Sequence, residues 1–248
     1  MRNSLQNTIA IPKNVPMFVV QNVNPFPACD TAPLRLYYSK ERQNHKQMKK
    51  TTDNSGTTER TEIFGRLYKS LTTGIKNGNT LIAKEWLNKR KLTIEKTGAG
   101  FNSGQIHHRK EQAFKDELES IAFLQKSTAK SKTGEQAYKI FGDYSILFPL
   151  KNEANQVANF YAVSLESGKT EFLNEEGIYP KYPNITTTKL YIAPTILETA
   201  TILEADILSE NEAVITVFDL TLKQQHREAI AQLKQLQEII FITNTERQ

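Results

Sequence analysis

Cysteine is nearly absent from this chain of 248 residues, in which Cys29 is the only one. A single cysteine cannot form an intramolecular disulfide, and it cannot supply a zinc site that is built from several cysteines. This composition fits a reducing, intracellular setting.

The N-terminal region also lacks a long apolar run. Its apolar stretches, IAI and MFVV, are short and are interrupted by Pro12 and Pro16. They are too short for the apolar part of a signal peptide or for a membrane span. We therefore expect a cytoplasmic protein with no membrane partner.

Acidic residues are scarce in the first half of the chain. Residues 1–134 contain 23 Lys and Arg against 11 Asp and Glu, whereas residues 135–248 contain 9 against 16. A basic half favours an anionic partner, and nucleic acid is the commonest one. Ordinary solvated surface charge explains the same counts, so the charge alone leaves both interpretations open.

The composition divides the chain into three parts. Residues 1–61 are rich in proline and then in polar and basic residues, which predicts an extended or disordered basic arm and linker. From Ser39 to about Thr61, a solvated helix that frays into a loop is the alternative to a linker. Residues 62–184 contain helical patterns followed by a β-hairpin. Residues 185–248 alternate short strands with helices.

Three helical patterns follow the arm. Residues 62–77 and 81–89 carry apolar residues at helical spacing, with Thr80 as the predicted cap of the second helix, and a third pattern spans about 110–125. The second helix presents a basic outer side formed by Lys84, Lys89, Arg90 and Lys91.

A glycine-rich loop lies between the second and third helices. Gly98, Gly100 and Gly104 allow close approach of a ligand to the backbone. Four basic or imidazole side chains follow this loop, and they favour contact with phosphate over part of a zinc-binding site. These residues are His107, His108, Arg109 and Lys110. A turn that leads into an exposed basic helix is an equally good interpretation.

Strand patterns begin after a polar break at 127–136. Residues 144–150 and 156–165 predict a β-hairpin, and 170–174 predict a third strand. The loop at 177–184 is expected to expose two aromatic side chains as platforms for base stacking, Tyr179 and Tyr182.

The last part predicts a small parallel sheet. Strands at 190–193, 213–218 and 239–242 alternate with helices at 196–208 and 222–236. Such alternation implies parallel pairing through right-handed crossovers, so the fold class is α+β with a terminal α/β sheet. Ligands of such sheets bind at the carboxyl ends of the strands.

Three segments carry a resemblance to a known family. The first segment, AKEWLNKRKLTIEKTGAGFNSGQIHHR, resembles the helix and glycine-rich segment of bacterial-type DNA primase cores. The second resembles their hairpin and reads ILFPLKNEANQVANFYAVSLESGKTEFLNEEGIYPKYP. The third resembles their Toprim domain and reads KLYIAPTILETATIL. The resemblance is greatest to primase-like proteins of Bacteroidetes mobile elements, and it covers about three quarters of the chain.

The resemblance implies a magnesium site that the sequence does not reproduce. The family holds Mg²⁺ with a Glu after the first Toprim strand and an Asp-x-Asp after the third, since Mg²⁺ prefers carboxylate oxygens. Here the Glu position falls on Pro194, with Glu198 as the next acid, and the Asp-x-Asp falls on Asn244-Thr245-Glu246. A shifted register that starts the motif at Asp219 also lacks one carboxylate.

Other family features are replaced as well. The Gly-rich turn after the second strand would fall at Asp219-Leu220-Thr221, and the Arg after the second hairpin strand is replaced within Tyr161-Ala162-Val163. The resemblance also implies an N-terminal zinc-binding domain with several cysteines and a histidine, and with Cys29 as the single cysteine we expect no such domain in this sequence.

Three hypotheses remain open. In the first, the protein has lost primer synthesis, needs no cofactor, and binds DNA or a replication or mobilisation protein. In the second, it is an active nucleotidyl transferase whose Mg²⁺ is held by Glu198, Asp219 and Glu246. In the third, it is a protein-interaction module. The first assigns nucleic-acid binding to Lys84, Lys89, Arg90, Lys91, His107, His108, Arg109, Lys110, Tyr179 and Tyr182.

Overall fold

A computed structural model describes residues 54–77, 80–108, 110–130, 134, 136–218 and 221–242. Most of the predicted arm, residues 1–53, lies outside these ranges. No helix within them is long and apolar enough to cross a membrane. In chain order the elements are α1 (Asn54–Asn77), α2 (Leu81–Lys89), α3 (Ile94–Thr97), β1 (Gly100–Asn102), α4 (Gln112–Ser120), β2 (Leu124–Lys130), β3 (Gln136–Ile140), β4 (Ser145–Lys151), β5 (Val157–Ser164), β6 (Thr170–Phe172), β7 (Lys189–Ala193), α5 (Ile196–Ala205), β8 (Glu212–Thr216), α6 (Gln224–Ala231) and β9 (Glu238–Phe241).

Helix α1 buries the apolar stripe that its sequence predicts. Ile63, Leu67 and Leu71 of this stripe are almost fully buried against the antiparallel sheet, and so is the adjacent Phe64. The helix begins at Asn54 rather than at residue 62, so its first turns lie in the segment predicted as a basic linker or a solvated helix. Once the buried turns have formed, each further residue adds a hydrogen bond without a new nucleation step, and polar residues can therefore extend the helix.

Helix α2 has the predicted bounds, and Thr80 stands at its N-cap position but does not cap it with its side chain. The Thr80 hydroxyl donates to the carbonyl of Ile75 (3.3 Å) and makes no capping hydrogen bond within α2. The helix buries Ala83 and Leu87, whereas Ile82, which the pattern places on the buried side, is largely exposed.

A second hairpin occupies the predicted polar break. Helix α4 ends at Ser120 instead of about residue 125, because Ala122 adopts a left-handed conformation (φ 62°) that turns the chain into β2. Strands β2 and β3 pair antiparallel, with Leu124 opposite Ile140. Most of their side chains are polar, so the apolar periodicity gives no strand signal here.

The central sheet is antiparallel, with the order β1-β4-β5-β6. Strands β4 and β5 are almost entirely buried, and they confirm the predicted hairpin. Gly100 in β1 lies so close to α1 that an added Cβ would stand 2.8 Å from the Cβ of Leu71. This glycine therefore permits contact between a helix and a strand.

The last part forms a parallel sheet in the order β8-β7-β9. Lys189 begins the middle strand and forms ion pairs with Glu212 (3.3 Å) and Glu238 (3.2 Å), which begin the two neighbours. Helix α5 ends at Ala205 because Asp206 is left-handed (φ 53°), and α6 covers only 224–231 of the predicted 222–236.

The two sheets share one apolar core. Ile196 and Ala200 of α5 belong to the same buried cluster as Phe148 of β4 and Tyr179. Polar contacts also join α5 to the segment around α3, where Glu204 accepts hydrogen bonds from the backbone N–H and the hydroxyl of Thr93. The parallel sheet is thereby held against the antiparallel one.

Candidate nucleic-acid interface

The carboxyl end of β7 is organised by a helix cap. Thr195 is the N-cap of α5, and its hydroxyl oxygen accepts from the backbone N–H of Glu198 (3.2 Å). In return, the Glu198 carboxylate accepts from the Thr195 N–H (3.0 Å) and hydroxyl (2.9 Å). The acid nearest to the expected catalytic position thus satisfies backbone groups of its own helix.

The polar side chains at the carboxyl end of β8 also have hydrogen-bond partners within the protein. The hydroxyls of Thr199 in α5 and Thr216 in β8 are fully buried and lie 2.7 Å apart. Pro194, which follows β7, offers no side-chain donor or acceptor. The described residues contain no group of three or more His, Cys, Asp or Glu that could hold a metal ion. This part of the strand edge does not fit the Mg²⁺ that the family resemblance implies.

The rearranged magnesium site remains a prediction. Of its three acids, the structure places only Glu198, because Asp219 and Glu246 lie outside the described residues, as do Leu220 and residues 243–248.

Aromatic rings fill the space between the end of β8 and the antiparallel sheet. Phe218 follows β8, and its ring centroid lies 4.5 Å from that of Phe172 and 5.0 Å from that of Tyr161. Lys223 lies over the Phe172 ring at 5.1 Å and forms an ion pair with Glu175. Tyr161 belongs to the triplet in which the resemblance leads one to expect Arg. An aromatic cluster therefore occupies this crevice.

Two glycines of the predicted glycine-rich loop lie close to side chains of the protein itself. Gly98 is left-handed (φ 67°) and ends α3, and a Cβ there would stand 2.8 Å from the Tyr68 hydroxyl. A Cβ on Gly104 (φ 80°) would collide with the Asp143 carboxylate. These residues are glycine because of packing and backbone conformation, so their presence does not argue for a ligand.

The two histidines of this loop differ in environment. His107 is buried beside the ring of Tyr138, with ring centroids 5.8 Å apart, whereas His108 is exposed. Burial, followed by the charges of His108 and Lys115, lowers the pKa of His107. Lys110 is exposed and lies over the Phe114 ring at 5.8 Å, and Arg109 is outside the described residues. His107 is therefore mainly a packing residue, and the exposed side chains here are His108 and Lys110.

The basic end of α2 is a second exposed part of the predicted interface. Lys89, Arg90 and Lys91 are exposed, and Lys84 is half-buried with its ammonium group donating to the Lys76 carbonyl (3.3 Å). The guanidinium carbon of Arg90 lies 3.9 Å from the ring centroid of Trp86. The residues predicted from this helix therefore cluster at the surface.

The predicted exposure of Tyr179 and Tyr182 is wrong. Tyr179 is fully buried and its hydroxyl donates to the Thr97 carbonyl (3.0 Å), and Tyr182 is 9% exposed within the core of the parallel sheet. Burial raises the pKa of both hydroxyls, to about 12 for Tyr182. Neither ring has a free face for a base, because both tyrosines are buried in the apolar clusters of the two sheets.

Sequence reasoning missed two aromatic features. Trp86 and Arg90 are four residues apart on a helix, a spacing that places side chains together, so this contact was available from the pattern KEWLNKR. The cluster joins Tyr161 of β5 and Phe172 of β6 to Phe218, which follows β8, and no local pattern could have indicated it.

Similarity to known proteins is found in the structure and not in the sequence. The sequence matches no protein-family model and no curated protein at a significant score. A DnaG primase catalytic domain bound to ssDNA is similar in structure, with a TM-score of 0.57 and 13% identity over 76% of this chain and 64% of that chain. The fold is therefore similar to that of a DNA primase catalytic core.

Two further primase structures agree. The RNA polymerase domain of Mycobacterium tuberculosis DnaG, in complex with a double-stranded DNA oligomer that has a 6-nucleotide overhang, has a TM-score of 0.59 and 11% identity over 76% of this chain and 64% of that one. The zinc-binding and RNA polymerase domains of Aquifex aeolicus primase give 0.60 and 13% over 77% and 50%. The chain thus spans between half and two thirds of the length of these three primase structures.

Proposed function

We propose that this chain is a primase-like nucleic-acid-binding protein of DNA replication or mobile-element maintenance that does not synthesise primers. The observation that carries the proposal is the lack of a free carboxylate at the carboxyl end of β7, in a fold similar to a primase core. Pro194 stands where the resembled family has its catalytic Glu, and the carboxylate of Glu198 is bonded to its own helix cap.

The aromatic cluster supports the same conclusion. The rings of Tyr161, Phe172 and Phe218 lie 4.5–5.0 Å apart at the end of β8. A nucleotide and its metal ion need an open, polar crevice with carboxylate ligands. Packed rings beside β8 leave an apolar surface there instead.

Nucleic-acid binding is supported by the basic end of α2 together with the fold. Lys89, Arg90 and Lys91 are consecutive and exposed, and phosphate contacts of Lys and Arg supply most non-specific affinity. Several solved primase domains of the same fold are complexes with single- or double-stranded DNA.

Binding can be tested with labelled single-stranded and duplex DNA by fluorescence anisotropy. We expect binding at about 50 mM salt that weakens steeply by about 200 mM, since counterion release governs phosphate contacts. As a control, replacing two exposed lysines of the acidic half, Lys169→Gln with Lys234→Gln, should leave the affinity within about twofold. Failure of both DNA forms to bind at low salt contradicts the proposal and favours a protein-interaction module.

Primer synthesis needs a separate assay. A template, ribonucleotides and Mg²⁺ or Mn²⁺ should yield no product with this protein, while an active primase run in parallel does. Primer synthesis that disappears on Glu198→Ala would instead support the rearranged magnesium site.

A further inference from the structure

A cavity of about 330 Å³ lies at the outer edge of β8. Ala213 and Val214 both line it, although their side chains point to opposite faces of the parallel sheet, Ala213 toward the core under α6 and Val214 toward the core under α5. A cavity that meets both faces reaches the edge of the strand between them. Because β8 is the outer strand in the order β8-β7-β9, this edge faces away from the rest of the sheet.

The backbone of β8 presents an unpaired donor and acceptor at this edge. The N–H of Val217 donates to the Ala193 carbonyl at the end of β7 (2.9 Å), whereas the N–H of Thr216 points the other way and donates to the Tyr179 carbonyl (2.9 Å). Val214 lies two residues before Thr216 and therefore shares its orientation. Within the described residues, no hydrogen bond reaches the outward N–H or C=O of Val214. Such a pair of groups on one residue is what an added strand bonds to.

The chain itself supplies the first hydrogen bond of an added strand and then turns away. After the Tyr179 carbonyl has accepted from Thr216, the next residue is Pro180, which has no N–H to continue the pairing. Pro180, Lys181 and Pro183 line the cavity and form no hydrogen bond with β8 beyond that of Tyr179. The position beside Val214 is thus left for another segment.

The α5 side of the cavity offers apolar contacts. Ile202, Leu203 and Leu208 line it, and the last two are only half-buried. Ile185 and Ile207, whose sequence neighbours line the cavity, are 68% and 56% exposed. Exposed apolar side chains beside an unpaired strand edge favour docking of another protein segment.

The charges around the cavity do not favour a nucleic acid. The lining contains three acidic side chains, from Asp206, Glu210 and Glu212, against two basic ones, from Lys96 and Lys181. A surplus of acid repels phosphates, which need Lys and Arg in excess. A peptide backbone carries no net charge, so the same lining accepts it.

We propose that the outer edge of β8 binds an extended segment of a partner protein, which pairs with Val214 as an added strand and places an apolar side chain against Leu203 and Leu208. In this mode of recognition main-chain hydrogen bonds supply affinity, and pockets for alternate side chains supply specificity. The cavity is at the lower end of the size range of ligand pockets, about 300–1,000 Å³, so it admits a narrow strand rather than a folded element. The site uses other residues than the basic end of α2 and does not depend on nucleic-acid binding.

Two synthetic peptides test the main-chain pairing on the full chain. The first alternates valine and threonine, with a lysine at each end for solubility, because main-chain pairing does not require one particular sequence. The second has the same side chains but is N-methylated at its internal amides, so it cannot donate from them. We expect saturable binding of the labelled first peptide by fluorescence anisotropy, and binding of the second that is weaker by about tenfold or more.

Hydrogen exchange measured by NMR locates the pairing. The first peptide should slow the exchange of the Val214 amide, whose outward N–H becomes bonded. It should leave the Val217 amide unchanged, because that N–H already donates to Ala193. The methylated peptide should protect the Val214 amide as well only if its carbonyls reach it, and then with the weaker affinity found by anisotropy.

A substitution tests the apolar contact. Leu208→Lys places a charge beside the proposed apolar side chain and should weaken the first peptide by about tenfold. Ile82→Lys replaces an exposed apolar residue of α2 that does not line the cavity, and it should leave the affinity within about twofold. Thermal melting shows whether both variants fold, and the comparison of the two peptides on the wild type does not depend on either variant.

Three outcomes overturn the proposal. Absence of binding at about 1 mM of the first peptide would show that the edge does not accept a strand. Equal affinity of the two peptides, or an unprotected Val214 amide in the complex, would show that the ligand does not pair with β8. A dimer in light scattering that excludes the peptide would assign this edge to a second copy of the chain.

Discussion

The carboxylate of Glu198 is bonded to Thr195 at two points, through the backbone N–H at 3.0 Å and through the hydroxyl at 2.9 Å. This capping box begins α5 at the strand end where primases place their chemistry, according to the family resemblance. Glu198 therefore stabilises the start of α5 through these capping contacts.

Replacement of Glu198 should change stability. Glu198→Ala removes half of the capping box and should lower the free energy of unfolding by about 1 kcal/mol, whereas Glu198→Gln should retain most of it because Gln also serves at this position. Urea denaturation measures both. Equal stability of the wild type and Glu198→Ala would show that the cap does not stabilise α5.

The buried pair of Thr199 and Thr216 predicts a non-additive double mutant. Thr199→Val or Thr216→Val alone leaves the other hydroxyl buried without its partner and should cost about 1–3 kcal/mol, whereas the double replacement should be nearly neutral. Urea denaturation of the four proteins measures this coupling. Additive losses would contradict the 2.7 Å hydrogen bond.

Gly100 and Gly65 should respond in opposite ways to alanine. An added Cβ at Gly100 would meet the Cβ of Leu71 at 2.8 Å and its backbone carbonyl carbon at 3.2 Å, whereas Gly65 on α1 has nothing within 4 Å. Gly100→Ala should therefore destabilise by about 1–3 kcal/mol, and Gly65→Ala should stabilise by about 0.5–1 kcal/mol through helix propensity. Thermal or urea unfolding distinguishes them, and a neutral Gly100→Ala contradicts the close packing of β1 on α1.

His226 predicts a loss of stability in mild acid. Its Nδ1 accepts from the Lys223 N–H (3.1 Å), and burial, with the charge of Lys223, lowers its pKa to about 4, although the Thr216 carbonyl opposes this shift. The unfolded chain protonates histidine near pH 6.5. The contribution of His226 is thus complete above about pH 6.5 and is lost as the pH falls toward 4.

The slope of this loss can be measured by urea denaturation. The free energy of unfolding should fall by up to about 1.4 kcal/mol per pH unit between about pH 6 and pH 4. Carboxylates titrate in the same range, so the comparison is with His226→Gln, in which this part of the slope should disappear. Parallel curves for the two proteins would mean that His226 is protonated as readily in the folded state as in the unfolded one.

The sequence predicted those parts of the fold that depend on local periodicity. The stripe of Ile63, Leu67, Leu71 and Ile75 predicted most of α1. The β4–β5 hairpin and the alternating strands and helices after residue 185 were also predicted. The polar strands β2 and β3 were missed because backbone pairing, rather than burial, defines them.

The candidate site was less predictable, because burial depends on tertiary contacts. Tyr179 and Tyr182 lie in a segment with the composition of an exposed loop, yet they fill the core between the two sheets. The glycines near residue 100 resemble a ligand-binding loop, although Gly100 is required by contact with Leu71. The basic end of α2, in contrast, followed from helical spacing, since charged residues opposite a buried stripe face solvent.

The most direct measurement of the central claim is the salt dependence of single-strand binding by the wild type and by the triple variant Lys89→Gln, Arg90→Gln, Lys91→Gln. If these three residues contact phosphates, the slope of log affinity against log salt should become shallower by about 2, at about 0.7 per contact. Affinity at about 50 mM salt should fall by at least tenfold. An unchanged slope and affinity would show that α2 is not the nucleic-acid interface.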